Sequence, residues 1–209
     1  MNPDWDADSP RLRANLEKVL GDIVARSTTR PLPSLSMAKA WHRAVMTGLA
    51  VPQRAYVGKF RGKGALRYVM VRITDAKDGR VYYGTPPEMV EGALQGFIGK
   101  LAAAASHLDS AIPVDATLSD DAIAAVLDLA AFAHAEWVRI HPFANGNGRI
   151  ARIWANFILI RYGLPPVVAL RPRPNGDYAD ASAAAMSGDS APMAAVFRTL
   201  LERALYGKP

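Results

Sequence analysis

A segment in the second half of the chain brings together a histidine, two glycines and two arginines in an order that suits phosphate chemistry. The segment reads HPFANGNGRIAR over His141–Arg152. Gly146 and Gly148 allow backbone conformations that other residues avoid, so that successive N–H groups can point into one concavity. A helix that begins beside these glycines would add its unpaired N–H groups and its dipole, both of which favour an anion. The backbone here is therefore suited to holding phosphate groups.

The side chains of the segment fit the same chemistry. Arg149 and Arg152 lie one helical turn apart and place two permanent positive charges on one face, suited to phosphate oxygens. His141 stands at the mouth of the loop, where a neutral imidazole could accept a proton from an incoming hydroxyl. Taken singly, a histidine at a helix end is usually a capping residue, Gly-Asn-Gly a turn, and two arginines surface residues. The combination predicts a polyphosphate cradle with a base beside it.

Two apolar helical patterns must position this segment. The first is capped by Ser119 and carries apolar residues on nearly all sides up to Ile140, as a central buried helix would. The second runs from Arg149 to about Tyr162 and is terminated by Gly163. Phe143, between the two, is most simply a hydrophobic plug that anchors the loop in the core.

The rest of the chain is also mostly helical, which predicts one mainly α domain over residues 1–209 with a core at about 35–166. Further helices are predicted at 10–26, at 36–47 with Ser36 as the cap, at 86–107, and as a pair within 177–206.

One region has β character. Residues with high β-propensity alternate over Leu66–Ile73, a turn follows at Asp75–Gly79, and Arg80–Tyr83 returns. This pattern predicts a β-hairpin. Because two strands alone are marginally stable, the hairpin must lie against the helical body.

Composition indicates the class of partner and the cellular compartment to expect. The net charge is +6, but basic residues are spread along the chain apart from Lys59, Arg61, Lys63 and Arg67, which we interpret as solvated surface, so nucleic acid is not the expected partner. The chain has no cysteine, which excludes disulfides and thiolate metal sites and fits a reducing compartment. No apolar run reaches the roughly 18 residues of a membrane span, and the first residues lack the apolar core of a secretory signal. We expect a soluble cytoplasmic protein, with delivery into another cell left open; the alanine- and arginine-rich composition hints at a bacterial source.

The segment His141–Arg152 resembles the motif of the Fic family, in which His, x, Phe, x, an acid, Gly-Asn-Gly-Arg, two variable residues and Arg follow in order. Every fixed position but one is met. The preceding helix end, His134–Ile140, and the hairpin followed by Pro86-Pro87 are also similar to the family, as are Trp41-His42 and Gly58–Arg61 at the entry to the hairpin. The resemblance covers about Leu35 to Pro166 and implies a Fic-type helical bundle, with a β-hairpin flap beside the active-site loop.

The resemblance also implies an activity, namely transfer of a nucleoside monophosphate, AMP above all, from a nucleoside triphosphate such as ATP to a Ser, Thr or Tyr hydroxyl of a protein. His141 would deprotonate that hydroxyl, which attacks the α-phosphate. The backbone of Gly146, Asn147 and Gly148 would hold the α- and β-phosphates, with the Asn147 side chain helping to orient them. Arg149 and Arg152 would neutralise the β- and γ-phosphates, and Phe143 would pack into the core.

Partners follow from the same resemblance. The target protein would dock by strand addition on the flap, at Leu66, Tyr68, Met70 and Arg72. Many family members inhibit themselves with a helix of the signature Ser/Thr-x-x-x-Glu-Gly/Asn, which this sequence lacks. We therefore expect either a small antitoxin-like protein that supplies a Glu to Arg152, as in a toxin–antitoxin pair, or an unregulated form.

Asn145 is the departure from the motif, because the family has Asp or Glu at this position to hold Mg²⁺. Asparagine is a weak candidate for a metal ligand, although Mg²⁺ is carried largely by phosphates and water and is still expected with the nucleotide. Three hypotheses stay open: a slower nucleotide-dependent enzyme, a phosphotransferase with an altered donor, or a nucleotide-binding module without turnover.

Overall fold

The computed structural model describes residues 9–74, 78–174 and 176–207. Within these ranges the chain forms helices α1 to α7 and a hairpin of strands β1 and β2. The helices are α1 (Pro10–Ala25), α2 (Leu35–Val45), α3 (Val90–Ala111), α4 (Asp120–Ile140), α5 (Asn147–Arg161), α6 (Asp177–Met186) and α7 (Ala191–Tyr206). The strands are β1 (Arg72–Thr74) and β2 (Val81–Tyr83). The predicted mainly α architecture is thus confirmed.

Helices α4 and α5 form the centre of the bundle. Helix α4 packs against α3, α5, α6 and α7, and α5 is buried along almost its whole length. Trp137 of α4 and Trp154 of α5 are both fully buried, with their ring centroids 5.9 Å apart. Because the two helices are held by this shared core, the loop that joins them is fixed at both ends.

The helix starts follow local capping chemistry. The Ser119 hydroxyl accepts a hydrogen bond from the Ala122 N–H at 3.2 Å, which is the predicted cap of α4. The cap of α2 is Ser34, whose hydroxyl accepts from the Met37 N–H, and not Ser36 as the sequence suggested. Ser34 and Ser36 lie in the same short stretch, and either could cap a helix by its residue type. The helix begins directly after Ser34.

The hairpin is shorter than its sequence pattern predicted. Strands β1 and β2 are antiparallel, with Arg72 opposite Tyr83 and Thr74 opposite Val81. Gly64–Leu66 is a single 3₁₀ turn, and Leu66 is only 1 % exposed. The prediction of a strand beginning at Leu66 was therefore wrong, because the apolar residue that started the alternation packs into the core instead. Residues 75–77 of the predicted turn lie outside the described residues.

Within the described ranges, every helix is too short or too polar to span a lipid bilayer.

Candidate active site

The end of α4 places His141 and sets its tautomer. His141 adopts a left-handed backbone conformation (φ 53°) as the C-cap of the helix, and its N–H donates to the Trp137 carbonyl at 3.0 Å. Its ring Nδ1 lies 2.8 Å from the Val138 carbonyl. A carbonyl can only accept, so Nδ1 carries the proton and Nε2 keeps its lone pair. The ring thus presents a basic nitrogen.

The protonation state of His141 follows from its surroundings. Burial lowers the pKa of His141 to about 4; the hydrogen bond to Val138 opposes this shift, and the charge of Arg61 adds to it. The imidazole is therefore uncharged at neutral pH and able to accept a proton.

Arg61 ties the flap to the end of α4. Its side chain is 2 % exposed, which corrects our interpretation of it as solvated surface. Its guanidinium donates to the carbonyls of His141 (2.8 Å) and Ile140 (3.2 Å) at the helix end. It also donates to Val69 (2.8 Å) and Thr85 (2.9 Å), one on either side of the hairpin. The Gly58–Arg61 resemblance was the only sequence signal for this role.

His42, on α2, fixes the other side of the loop. Its Nδ1 accepts from the Gly58 N–H at 2.9 Å, so Nε2 carries the proton and donates to the Asn145 carbonyl at 3.0 Å. Its ring stacks on Phe143 with centroids 4.0 Å apart. Burial lowers the pKa of His42 to about 4, which keeps this bridging tautomer neutral. The sequence pointed to His42 only through the Trp41-His42 similarity, without a role.

The hydrophobic plug of the loop lies where it was predicted. Phe143 is fully buried and contacts Phe60 and Trp137, with ring centroids at 4.9 and 5.8 Å. The side chain of Asn147 forms two hydrogen bonds with the Phe143 backbone. Its Oδ1 accepts from the Phe143 N–H (2.9 Å), and its Nδ2 donates to the Phe143 carbonyl (2.8 Å). The predicted phosphate-orienting role of the Asn147 side chain is therefore corrected to a role inside the loop. Its backbone N–H lies in the first turn of α5, where N–H groups have no partner within the helix.

The two glycines of the loop face different surroundings. Gly146 is the N-cap of α5 with φ 81°, and a Cβ there would lie 2.9 Å from Met46 Cε. Gly148, in the first turn, would meet only Arg152 Nη1, at 3.5 Å. The backbone at Gly148 can therefore be approached closely by a ligand, at a helix N-terminus that favours anions.

A cavity of about 1000 Å³ opens over this helix end. Most of the predicted site residues line this cavity. Those that line it are His141, Asn145, Gly146, Asn147, Gly148, Arg149, Arg152 and Arg72. The remaining walls come from β1, Tyr82 and helix α6. Of the predicted flap residues, the buried Leu66 and the exposed Tyr68 and Met70 lie outside this cavity.

The cavity is strongly positive. Arg149 and Arg152 are almost fully buried; Arg149 Nη2 donates to Asn145 Oδ1 at 2.6 Å, and Arg152 Nη2 donates to the Leu170 carbonyl at 3.1 Å. Arg171 and Arg173, which sequence reasoning missed, line the same cavity. Among the described lining residues Asp180 is the one carboxylate, so the net field favours an anionic ligand.

Helix α6 completes the far wall with a buried hydrogen-bonded pair. The Tyr178 hydroxyl lies 2.6 Å from His134 Nε2, and both side chains are buried. Burial lowers the pKa of His134 to about 3. This pair was not recognised in the sequence, because its members are 44 positions apart.

Asn145 does not fit the metal role that its motif position implies. Its side-chain oxygen accepts from the Arg149 guanidinium and its backbone oxygen accepts from His42. A cation at that oxygen would lie beside a permanent positive charge. Among the described residues no group of three or more His, Asp or Glu side chains is placed to hold a metal ion.

The structure combines a helical bundle, a histidine at the edge of a positively charged cavity and a hairpin beside them, and this combination indicates the class of the protein. A sequence profile of the Fic/DOC family matches residues 32–159, and the chain belongs to that family. The family predicted from the sequence is thereby confirmed.

Curated relatives carry a functional name. The protein adenylyltransferase Fic of Nematostella vectensis is 39 % identical over 79 residues, which are 38 % of this chain and 18 % of that protein. The protein adenylyltransferase Fic of Aedes aegypti is 40 % identical over 76 residues, 36 % of this chain and 15 % of that protein. The matched region thus spans less than a fifth of the length of these relatives.

Solved structures share the fold over almost the whole chain. A Fic domain containing signaling protein from Bacteroides thetaiotaomicron has a TM-score of 0.65 at 21 % identity, covering 93 % of this chain and 69 % of that one. The BepC protein of Bartonella tribocorum, solved with bound AMPPNP, has a TM-score of 0.56 at 16 % identity, covering 96 % and 91 %. At these identities the likeness concerns the fold.

Proposed function

We propose that this protein transfers AMP from ATP to a Ser, Thr or Tyr hydroxyl of a target protein. The observation that carries the proposal is His141, with its Nε2 held in the basic form at the edge of a cavity that attracts anions. The relatives named protein adenylyltransferase support it, although they match over only part of their length.

The proposed reaction uses the loop as follows. The target hydroxyl gives its proton to His141 Nε2 as its oxygen attacks the α-phosphorus. A bond forms between that oxygen and phosphorus, and the bond to the bridging oxygen breaks, so that pyrophosphate leaves. The N–H groups of Asn147 and Gly148 would bind phosphate oxygens at the start of α5. Arg149 and Arg152 would balance the charge of the leaving pyrophosphate.

The magnesium ion that the family resemblance implied takes no part in this account, because both oxygens of Asn145 already accept hydrogen bonds within the chain. Catalysis would then depend on positioning and on the fixed charges of the cavity.

The flap would bind the target. Within the described residues its sheet has two strands, so each strand has an outer edge open to strand addition. Tyr68 (82 % exposed) and Met70 (55 % exposed) add apolar surface next to β1, as interaction sites commonly do. Arg72, in β1, is also exposed and lines the cavity. Leu66 is not part of this proposed surface, because it is buried.

Phosphotransfer is the second candidate, and Asn145 is the observation that favours it. A site altered at the position of the acid could hold ATP so that the hydroxyl oxygen attacks the γ-phosphorus, the bond to the β–γ bridging oxygen breaks and ADP leaves, with His141 again taking the hydroxyl proton.

Regulation and setting stay predictions. An antitoxin-like partner could still supply a Glu to Arg152, which lines the cavity. The bacterial and cytoplasmic setting rests on composition alone. The two relatives described above are animal proteins, and the two solved structures described above are bacterial.

Labelling with two forms of ATP separates these functions. The protein is incubated with a cell lysate and either α-³²P-ATP or γ-³²P-ATP, and proteins are resolved on a denaturing gel. Endogenous kinases also use the γ-label, so the bands scored are those that disappear when His141→Ala replaces the unmodified protein. For these bands, including self-modification, AMP transfer predicts incorporation from the α-label only. Bands from the γ-label only would establish phosphotransfer. The absence of both, with nucleotide binding retained, would contradict the proposed transfer and indicate a binding module.

A further inference from the structure

The orientation of the Asn145 side chain is fixed by its neighbour. The Oδ1 atom lies 2.6 Å from Arg149 Nη2. A guanidinium has donors and no acceptor, so the amide must turn its oxygen towards Arg149. The backbone carbonyl of Asn145 is engaged as well, since it accepts from His42 at 3.0 Å. Both oxygen atoms of this residue are therefore used within the chain.

Besides Oδ1, the side chain of Asn145 has one other polar atom, the amide nitrogen Nδ2. This nitrogen can donate hydrogen bonds and cannot coordinate a metal cation. Asn145 lines the cavity together with Gly146, Gly148, Arg149 and Arg152. The position that carries an acid in related motifs thus presents a donor to an anion in this chain.

The charges around Asn145 favour the same type of ligand. Arg149, which holds the amide, is a permanent cation, and Arg152, Arg171 and Arg173 line the same cavity. A carboxylate at position 145 would offset part of this charge and give a divalent cation a ligand. Asparagine does neither, and Asp180 is the one carboxylate among the described lining residues, so most of the positive charge is left for the triphosphate to balance.

We propose that Asn145 is a phosphate-binding residue, and that this protein binds its nucleoside triphosphate without a divalent cation held by the loop. The inference rests on the proposed function in taking a nucleoside triphosphate as the ligand. Asn145 would donate through Nδ2 to a phosphate oxygen and would hold the Arg149 guanidinium ready for a second one.

Calorimetric titration with AMPPNP, in EDTA and in excess Mg²⁺, tests the proposal. AMPPNP is protected at the β–γ bond but not at the α–β bond that AMP transfer breaks, so each titration is repeated in the His141→Ala background, which has no proton acceptor for self-modification. No target protein is added, and the readout is then binding alone. For the unmodified protein we expect Kd values in the two conditions to agree within about threefold. For Asn145→Asp we expect binding in EDTA to weaken by about tenfold, because a negative charge then faces the phosphates, and to recover when Mg²⁺ is added.

Asn145→Ala is the matched control. It removes both the Nδ2 donor and the hydrogen bond to Arg149, so binding should weaken by about tenfold in EDTA and in Mg²⁺ alike. The backbone bond to His42 persists in both variants, and unchanged melting temperatures would show that the loop is intact.

Three results would overturn the proposal. They are binding of AMPPNP by the unmodified protein only when Mg²⁺ is present, an unchanged metal dependence in Asn145→Asp, and no binding of AMPPNP in either condition. Metal-independent binding without transfer of label from ATP would leave this inference standing and reject the proposed transfer instead.

Discussion

At the scale of single residues, Gly146 and Gly148 serve different purposes. Gly146 needs its positive φ, and the space beside it is filled by Met46 and His42. Gly148 has neither constraint, since a methyl group there would meet only Arg152 at an ordinary contact distance. The fold therefore requires the first glycine, and close approach of a ligand accounts for the second.

Alanine at each glycine should separate folding from binding. Gly146→Ala should lower the free energy of unfolding by about 1–3 kcal/mol, because it forces a left-handed alanine against Met46. Gly148→Ala should leave stability nearly unchanged and weaken AMPPNP binding by about tenfold, because its methyl group occupies the approach to the helix end. Denaturant unfolding and calorimetry measure the two effects. Equal AMPPNP affinity in Gly148→Ala and the unmodified protein would contradict the predicted phosphate position.

Residue types in sequence predicted which atoms could do chemistry, but not how each is used. His141, Arg149 and Arg152 lie at the cavity as predicted. The side chain of Asn147 forms hydrogen bonds with the Phe143 backbone. The side-chain oxygen of Asn145 accepts a hydrogen bond from Arg149, which fixes the orientation of the amide. Such pairings depend on the loop conformation, which the order of residue types does not specify.

At the scale of elements, the flap and the end of α4 form one unit. Besides the four carbonyl bonds of its side chain, Arg61 donates through its backbone N–H to the Pro142 carbonyl at 2.8 Å. A Cβ at Gly84, next to β2, would lie 2.7 Å from His141 Cβ. The position of the flap and that of the histidine are therefore coupled through direct contact.

Arg61→Lys should impair transfer without impairing nucleotide binding. A lysine keeps the charge but cannot reach four carbonyls in a fork, so His141 would be less well placed. We expect kcat for transfer to fall by about tenfold to a hundredfold, as small misplacements can cost that much, while the Kd for AMPPNP stays within about twofold. Kinetics and calorimetry on the same preparation measure both quantities.

Lys63→Met is the control for Arg61. Lys63 is an exposed neighbour that pairs with Glu91 at the surface, and its replacement should leave kcat unchanged. Arg61 would not be a positioning residue if Arg61→Lys kept full kcat, or if its nucleotide affinity fell as much as its kcat.

The elements were predictable where local chemistry decides them. Ser119 caps helix α4, which begins at Asp120 and ends at Ile140, and both ends were predicted from the sequence. The hairpin was predicted too long, because alternation over Leu66–Ile73 does not show that Leu66 packs into the core. Arg61 and His42 act through long-range hydrogen bonds, which periodicity cannot reveal.

At the scale of the whole molecule, the cavity is built from distant parts of the chain. The loop between α4 and α5 forms the floor, β1 with Tyr82 forms one wall, and α6 with Arg171 and Arg173 forms another. This last wall lies beyond residues 32–159, the region that matches the family profile. The motif predicted the floor and the family resemblance predicted the flap beside it, whereas the wall formed by α6, Arg171 and Arg173 required the folded chain.

Burial of histidines predicts sensitivity of the whole fold to acid. Burial lowers the pKa of His42 and His141 to about 4 and that of His134 to about 3. In the unfolded chain these imidazoles titrate at about 6.5. Below that pH the unfolded state takes up protons that the folded state does not, so stability is lost as the pH falls from about 6.5 towards 4.

Urea unfolding at pH 7, 6 and 5 measures this effect, because carboxylates titrate mostly below that range. The free energy of unfolding should fall steadily between pH 7 and pH 5. In His134→Gln, which can keep a hydrogen bond to Tyr178, the decline should be shallower. Equal stability at pH 7 and pH 5 would contradict the neutral, buried state of these histidines.

The central claim is that His141 acts as the base in AMP transfer. The most direct measurement compares the unmodified protein with His141→Ala for incorporation of label from α-³²P-ATP into protein, under conditions in which both bind AMPPNP. The account predicts labelled bands with the unmodified protein and a loss of about a hundredfold or more in the variant, because the hydroxyl then has no proton acceptor. Undiminished labelling by His141→Ala would contradict it.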